Sequence, residues 1–401
     1  MNSGPSRLEM VAYVLVVASL SVVQLKLLPA QTFFGIASLL WIVLLWRGRL
    51  RLSMPAFVLP LGVYAGLTLA SSVFSLDPVA SLKDSRQLVL FLMAPMVASL
   101  CTGPRATRTI DVTIALGAAG ALVGIVQFAM FGYDHLNNRP VGALSHYMTY
   151  SGVLMLVTCA AVARLLYHRR EWIWPAIAVP ALVVALVVTL TRNAWIGTAL
   201  GAGLLVWLRR RRLLLFVPVL IVIAVIVVPG QIRDRAGSMF DPNDPASRDR
   251  RAMFVVGARM IADHPVFGVG PEMVERVYAQ YRPADYVNET NPHLHNVPLQ
   301  IAAERGLPAL AAWLWFVVVA TRDLWRQLRR SEAPPVAAAG LAAMVAMLSA
   351  GLFEYNFGDS EFLMLFLGLI ALPHAAQSGA TPEAASAEPA PVPVRSGSER
   401  A

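Results

Sequence analysis

Charged residues are scarce in this chain. They make up 14% of its 401 residues, while 57% are hydrophobic; soluble domains carry about 25% charged residues. The apolar residues fall in long runs, of which Leu213 to Val228 is the clearest, with sixteen positions and one proline. Because a membrane-spanning helix needs about 20 mainly apolar residues, repeated runs of this kind exclude an ordinary soluble domain. They predict a polytopic integral membrane protein.

Lysine and cysteine are nearly absent. The lysines are Lys26 and Lys83, so the net charge of +9 comes from arginines in short loops and does not indicate a nucleic-acid partner. Cys101 and Cys159 lie in or beside apolar segments, which excludes a disulfide framework and a cysteine metal site.

Nucleotide and metal motifs are missing as well. The sequence has no Walker loop, dinucleotide fingerprint, HExxH motif or nucleophile elbow. Asp241 and Asp244 resemble a loose calcium loop, but the ligand spacing is incomplete. We therefore expect no metal and no cofactor, and an outward-facing site would need a donor that is pre-activated and carried by a lipid.

The apolar runs predict an all-α membrane protein of about twelve transmembrane helices, since helices pair every backbone group of such a run within the surrounding lipid. The predicted spans lie near residues 8–25, 32–46, 54–74, 87–101, 109–131, 144–166, 173–190, 194–208, 213–229, 307–325, 335–353 and 361–374. The first span is expected to be a retained helix, because it lacks a small-residue cleavage site.

The arginine distribution predicts the orientation. Loops after the even-numbered spans hold sixteen basic residues, and the short loops on the other side hold five, namely Lys26, Lys83, Arg86, Arg139 and Arg192. Because basic loops stay in the cytoplasm, both termini are expected inside and the long polar insert outside.

These spans divide the chain into four regions. Residues 1–229 hold spans one to nine, residues 230–306 form one long, partly helical external loop, and residues 307–374 hold the last three spans. The tail at 375–401 is rich in Ala, Pro, Ser and Glu, so we expect a disordered cytoplasmic extension.

Arg192 lies in a short turn between two apolar segments. It is either an interfacial anchor whose stem snorkels to water or an anion clamp, because a planar guanidinium matches phosphate oxygens in bidentate fashion. The shortness of the turn favours the clamp.

Arg250 and Arg251 follow a turn rich in Asp and Pro and precede Met253 to Ala262, where apolar residues have helical spacing. Proline and aspartate before such a stretch are typical of a helix start. Each arginine is either a solvated surface charge or a ligand for an anion.

Histidines and carboxylates gather at the same predicted outer level. His293 and His295 precede the tenth span, and such a pair is either a hydrogen-bonded structural feature or the source of a general base, since neutral imidazole accepts a proton near pH 7. Neighbouring outward segments supply further polar candidates, namely Arg139, His146, Asn296, Asp359, Glu354 and Glu361. Their convergence would form an active site.

Four stretches carry the most specific pattern. They are His295-Asn296 with Gly306 after nine intervening residues, Arg250 with Phe254 four residues later, His264-Pro-x-x-Gly-x-Gly270, and Thr191-Arg192-Asn193-Ala-Trp195. Together with the long loop between spans nine and ten, this pattern resembles the O-antigen ligase family. That family belongs to a larger group with O-antigen polymerases and protein O-oligosaccharyltransferases. Ala309, where Gly, Thr or Tyr is usual, is a mild departure.

The resemblance implies transfer of a polysaccharide from undecaprenyl pyrophosphate to a sugar hydroxyl of lipid A–core, in the bacterial inner membrane and at its periplasmic face. His295 would be the general base, and Arg192 and Arg250 would hold the pyrophosphate and stabilise the leaving charge. Arg251 is the alternative if the alignment slips by one. Candidate substrate-binding residues are Arg251, His146, His293, Arg139, Asn296 and Asp359. Direct attack predicts metal-independent inversion at the anomeric carbon.

Three other functions stay open. A polymerase would join lipid-linked repeat units, and a protein O-oligosaccharyltransferase would use a protein acceptor. A transporter of an anionic solute is a different class, but it usually shows inverted repeats and polar groups at the membrane midplane. The candidates here cluster at one outer rim, which favours an enzyme.

Overall fold

The computed structural model describes residues 6–133, 135–168, 171–216, 218, 230–238, 241, 244–284, 286, 288–330 and 334–377. The regular secondary structure of these residues is helical. The α-helices are α1 (Arg7–Val22), α2 (Leu27–Trp46), α3 (Val58–Val73), α4 (Pro78–Asp84), α5 (Met93–Leu100), α6 (Pro104–Met130), α7 (Tyr147–Tyr167), α8 (Ile173–Val188), α9 (Arg192–Arg210), α10 (Gly230–Gly237), α11 (Pro245–Asp263), α12 (Val274–Tyr281), α13 (Val297–Arg330), α14 (Pro334–Ala350) and α15 (Ser360–Gln377). These described residues form no strand, which confirms the all-α class.

Five of the described helices are long and apolar enough to cross a membrane: α2, α6, α7, α13 and α15. The shorter helices α3, α8 and α14 are also apolar. Helix α2 exposes Leu39, Ile42 and Trp46, and soluble monomers rarely expose large contiguous apolar patches. These faces fit a lipid environment, so the chain is a multi-pass membrane protein.

Two predicted spans differ from their outlines. The fourth, at 87–101, is a 3₁₀ turn over Ser85–Leu92 followed by the short α5. Pro95 has no N–H to donate to the carbonyl of Phe91, four residues earlier, so a continuous α-helix is disfavoured there. The ninth, at 213–229, lies mostly outside the described residues, as does the tail after 377. The count of twelve spans and the external loop stay predictions.

The core of the bundle centres on α14. This helix packs against α7, α9, α13 and α15, and its Ala338, Ala342 and Ala346 are fully buried. Gly197 and Gly201 of α9 let α14 approach closely, because an added Cβ would lie 2.9 and 2.7 Å from the carbonyl oxygens of Ala346 and Ala342. The end of the bundle where α9 begins is therefore held rigidly against α14.

A second, smaller core lies in the segment between α9 and α13. Met253, Val256 and Met260 of α11 are buried against Val274 and Tyr278 of α12. Because these α11 residues repeat every three or four positions, they form one face of the helix. Helix α11 also packs against α13, so the segment is docked on the bundle.

A break in α13 docks the loop that follows α11. Gly306 has non-helical angles (φ 81°, ψ 169°), and Pro308 has no N–H. In an unbroken helix, residues 307 and 308 would donate to the carbonyls of Ala303 and Glu304. Those carbonyls instead accept the N–H groups of Val269 and Gly270, each at 2.9 Å. The family-like glycines at 268, 270 and 306 thus build this junction.

Candidate active site

Five segments meet at the end of the bundle where α9 and α13 begin. They are the turn before α9, helix α10, the start of α11, the turn before α13, and the turn between α14 and α15. Arg192 bonds across the first three segments, and His295 bonds from the fourth to the fifth. Residues that are far apart in sequence are therefore fixed beside one another.

Arg192 is the first residue of α9 and is buried. Its guanidinium donates to the backbone oxygen of Ser238 at 2.9 Å, to the Ser238 Oγ at 3.0 Å and to the Asp244 carboxylate at 2.8 Å. Asp244 therefore occupies a position on Arg192 that a phosphate oxygen could take. The same bonds anchor α10 and the start of α11.

Three more arginines surround Arg192, and we call these four residues the arginine cluster: Arg139, Arg192, Arg235 and Arg250. Burial, reinforced by the charges of Arg192 and Arg139, lowers the pKa of Arg235 to about 10. Burial and then Arg192 lower the pKa of Arg250. Burial also lowers the pKa of Arg139, with Arg192 adding to the effect. Each guanidinium is thus within electrostatic reach of another.

The positive charges of the arginine cluster are only partly balanced by carboxylates. Within the described part of the chain, its one ion pair is that of Arg192 with Asp244. Asp249, also nearby, accepts hydrogen bonds from Asn288 and Asn291. The buried Nε of Arg250 has no partner among the described residues. A buried donor without an acceptor is costly, so an anion such as a phosphate would stabilise this arrangement.

His295 and Glu354 form a directed pair. The Nδ1 of His295 lies 2.9 Å from the Glu354 carboxylate, which also accepts the N–H of Tyr355. Burial raises the pKa of Glu354, but the bond to His295, the charges of His295 and His293 and the bond from the Tyr355 N–H together lower it overall. The ionised carboxylate can only accept, so Nδ1 must carry the proton, and the Nε2 of a neutral ring keeps its lone pair.

The same pair controls how readily the imidazole is protonated. Burial lowers the pKa of His295, but the hydrogen bond and charge of Glu354 outweigh burial and raise it above its ordinary value. Arg250 is close enough to oppose that rise. The Glu354 carboxylate and Arg250 of the arginine cluster therefore act in opposite directions on the pKa of His295.

Strained backbone surrounds these groups. In the described residues, the non-glycine residues with positive φ are Leu190 at 56°, Glu272 at 63° and His295 at 46°. Leu190 begins the turn that presents Arg192, and His295 is the base candidate itself. Such conformations cost about 1–3 kcal/mol each and concentrate at active sites. The rest of the folded chain must hold these three residues in their strained backbone conformations.

A cavity of ≈ 340 Å³ opens beside the histidine–carboxylate pair. Glu354, His293, His146 and Asp359 lie in its wall, and none of the arginine cluster does. Small-molecule sites commonly measure about 300–1,000 Å³. The site therefore has two compartments, one cationic and one whose ionisable lining groups are mostly carboxyl groups.

The remaining candidates fall into different settings. Asn296 starts α13: its Oδ1 accepts the N–H of Leu299 and its amide donates to Leu352, which is a structural role. Asp359 similarly accepts the N–H of Phe362 and the hydroxyl of Thr149.

His146 starts α7 and accepts the N–H of Met148. The ring of His293 lies 5.8 Å from that of His295, and burial lowers its pKa. Arg251 is exposed on α11, whereas Arg250 is partly buried near Arg192 and Glu354.

Two important side chains have partners that the sequence does not predict. Glu354 is among the polar candidates of the outward turns, but nothing in the sequence links it to a histidine 59 residues earlier. Arg235 is an isolated arginine in a polar segment, where the sequence gives no sign of burial. Its Nε donates to the backbone of Leu190 at 3.3 Å, and its helix is held by Ile232, which packs with Leu190 and Val188.

This arrangement suits one type of chemistry. An imidazole with a free Nε2 can take a proton from a hydroxyl, and adjacent guanidinium groups can stabilise negative charge on a departing phosphate. The combination favours displacement of a phosphate-linked leaving group by an alcohol.

A comparison with known protein families agrees with this chemistry. Residues 177–314, that is 138 of the 401 residues, match the model of a family described as O-antigen ligase. The matched stretch includes Arg192, Arg235, Arg250 and His295 and confirms the resemblance seen in the motifs. No curated protein matches the chain. The match supports the group of membrane glycosyltransferase-like ligases and polymerases, whose substrates are lipid-linked polysaccharides.

Proposed function

We propose that this protein is an O-antigen ligase of the bacterial inner membrane, which transfers polysaccharide from undecaprenyl pyrophosphate to a sugar hydroxyl of lipid A–core. The observation that carries the proposal is that His295 bonds to the Glu354 carboxylate and lies within electrostatic reach of Arg250, a member of the arginine cluster. A base and an anion site at one bundle end are the two groups that this displacement requires.

His295 is proposed as the general base. Its Nε2 takes the proton of the acceptor hydroxyl while that oxygen bonds to the anomeric carbon of the donor. The bond from that carbon to the pyrophosphate oxygen breaks, and the electron pair leaves with undecaprenyl pyrophosphate. Because the acceptor attacks directly, the configuration at the anomeric carbon inverts. A trapped glycosyl-enzyme intermediate would contradict this step.

The arginine cluster is proposed to hold the pyrophosphate. Arginine stays protonated as negative charge grows on the leaving group, and preorganised charges of this kind stabilise the transition state. Arg250 and Arg235 offer donors that are not used in ion pairs within the described residues. Arg192 both positions α10 and α11 and binds phosphate by exchange with Asp244.

The orientation supports a lipid-carried donor. Basic loops are expected at the opposite end of the bundle from His295, which would place the site in the periplasm. Nucleotide sugars are not available there, whereas a polyprenyl pyrophosphate presents an activated sugar at the membrane surface.

A reconstituted assay tests this proposal. Purified protein in liposomes receives the lipid-linked donor and either lipid A–core or a second lipid-linked repeat as acceptor. Transfer to lipid A–core is expected, and it is expected to be lost in His295→Ala by about 10²–10⁴-fold. His168→Ala, at the far end of α7, is the matched control.

The same assay separates the alternatives. Transfer only to the lipid-linked repeat would identify a polymerase, and transfer only to a protein would identify an O-oligosaccharyltransferase. Uptake of an anionic solute without any transfer would identify a transporter. Wild-type transfer by His295→Ala would remove the imidazole from the mechanism.

A further inference from the structure

The wall of the cavity beside His295 holds more acidic than basic side chains. Six carboxyl groups line it, belonging to Asp84, Glu272, Glu275, Glu304, Glu354 and Asp359. The one arginine in its wall, Arg305, is already paired with Glu304 and lies 3.6 Å from Asp84. Burial raises the pKa of Asp359, which reduces its share of the charge. The remaining groups still make the cavity negative.

The carboxylates fall into two classes. Glu304 is fixed in the wall by the N–H of Glu272 and the guanidinium of Arg305. The side chains of Glu272 and Glu275 are exposed at the mouth and form no ion pair within the described residues. The mouth therefore offers free acceptors for hydroxyl or ammonium groups.

Two wall residues have unused polar atoms. Asn356 and Arg305 are 7% and 6% exposed. The Oδ1 of Asn356 and the Nε of Arg305 have no hydrogen-bond partner among the described residues. Buried polar atoms are nearly always paired, so the wall of the cavity contains polar groups that its own residues leave unsatisfied.

The cavity is separate from the arginine cluster, as the acceptor site of a direct displacement is required to be. A direct displacement requires attack from the face of the sugar opposite the leaving group. The leaving pyrophosphate belongs with the arginine cluster, none of whose members lines the cavity. Glu354 joins the two compartments, because it lies in the cavity wall and is within electrostatic reach of Arg250.

We propose that this cavity is the acceptor subsite and that it receives a terminal sugar that is uncharged or carries an amino group. Sugar hydroxyls and an ammonium group donate to carboxylates, whereas a phosphate or carboxylate on the sugar meets like charge, which costs several kcal/mol at an interface. The inference rests on the proposed glycosyl transfer and adds the chemical class of its acceptor.

The first test uses a matched set of acceptors. Three synthetic lipid A–core glycolipids differ only in the terminal sugar, which is plain, carries a 2-amino group, or carries a phosphate at a position other than the accepting hydroxyl. The KM for the phosphorylated acceptor is expected to exceed the KM for the plain one by at least about tenfold. Equal KM values for these two acceptors would overturn the proposal.

The second test removes one negative charge at a time from the mouth of the cavity. Glu272→Gln and Glu275→Gln are each expected to raise the KM for the plain acceptor, leave the KM for the donor unchanged and reduce the penalty for the phosphorylated acceptor. Glu289→Gln, an exposed carboxylate of the same segment outside the cavity, is the control. A rise in the donor KM instead would show that the cavity holds the donor glycan and would overturn the assignment.

Direct binding separates this proposal from the proposed function. Saturation-transfer NMR without donor measures contact of each deacylated acceptor oligosaccharide with the purified wild-type protein. If no acceptor is glycosylated but the plain oligosaccharide binds in preference to the phosphorylated one, the ligase function fails and the charge selectivity of the cavity stands. Absence of that preference refutes the subsite itself.

Discussion

At the scale of single residues, His295 combines an unusual backbone with an unusual partner. Its φ of 46° lies in the left-handed region that non-glycine residues rarely adopt, and Glu354 bonds to its Nδ1. A carboxylate that orients an imidazole in this way fixes the tautomer and stabilises the imidazolium that forms during proton transfer. We therefore expect Glu354 to act as a positioning residue for His295.

We predict that Glu354→Gln lowers kcat and shifts the pH profile. Glu354 raises the pKa of His295, and burial lowers it. The neutral imidazole is the active form, so wild-type kcat rises with pH through the raised pKa. Without the carboxylate, burial dominates, and the ascending limb is expected at lower pH. The measurement is kcat against pH.

Glu354→Asp, which keeps the charge, serves as the comparison for that profile. It is expected to retain the wild-type limb at reduced kcat. An unshifted limb in Glu354→Gln would show that the pair has no electrostatic role.

The two adjacent arginines of α11 give a second residue-scale prediction. Arg250 is partly buried beside Arg192, while Arg251 is exposed. Arg250→Gln and Arg235→Gln are each expected to raise the KM for the lipid-linked donor about ten- to a hundredfold, the loss of one charge-assisted bond of about 1.5–3 kcal/mol. Arg251→Gln is expected to have little effect. The reverse order would mean that α11 is rotated from its observed setting.

Motif spacing identifies the arginines and histidine whose chemistry is local to one stretch of sequence. Arg192, Arg250 and His295 stand in such stretches, and the structure brings them to one end of the bundle. Their catalytic roles stay predictions. Glu354 and Arg235 depend on tertiary contacts, because a partner 59 residues away or a burial set by α10 leaves no periodic trace in the chain.

At the scale of elements, the break in α13 organises the neighbourhood of His295. Gly306 frees the carbonyls of Ala303 and Glu304, which then bind the loop at Val269 and Gly270. A Cβ on Gly306 would lie 2.0 Å from the carbonyl oxygen of Val266. The junction therefore depends on the missing side chain as well as on the positive φ of 81°.

We predict that Gly306→Ala destabilises the protein by at least about 1–3 kcal/mol, the usual cost of a strained backbone residue, before the steric clash is added. A lower Tm in detergent and weaker hydrogen-exchange protection of residues 264–270 are the measurements. Gly66→Ala, at a helical position with open space around the added Cβ, is expected to be neutral or slightly stabilising. An equal loss of stability in Gly306→Ala and Gly66→Ala would mean that the junction at Gly306 does not specifically require glycine.

Apolar runs locate helices well, but they do not show where a helix breaks. The segment near 87–101 is apolar apart from Gln87 and Ser99, yet a 3₁₀ turn precedes Pro95, and Gln87 donates to the carbonyl of Gly358 at 2.6 Å. In α13, the helix after the break at Gly306 starts where the tenth span was predicted, at 307, but the apolar pattern does not reveal the helical turns from Val297 that precede the break. In both places tertiary hydrogen bonds hold the irregular backbone.

At the scale of the whole molecule, the placement of charge predicts the topology. Arginine-rich segments follow α9 and α13 at the end of the bundle opposite His295. Both native cysteines are buried, so introduced cysteines can be labelled with little background.

Glu289→Cys is expected to react with a membrane-impermeant maleimide in intact cells from which the outer membrane has been made permeable. Arg326→Cys is expected to react only after the inner membrane is opened. Both positions are exposed on the folded protein. The opposite pattern of labelling would place the site in the cytoplasm and refute the orientation.

The covalent link between His295 and α13 has a further consequence. Only Asn296 separates His295 from α13, which continues into the apolar bundle after its break at Gly306, and the loop is hydrogen-bonded at that break. We therefore expect the Nε2 of His295 to stand at a constant height over the lipid. We expect the protein to select its glycolipid substrates by length. It would accept those whose hydroxyl reaches that height while their acyl chains stay in the membrane.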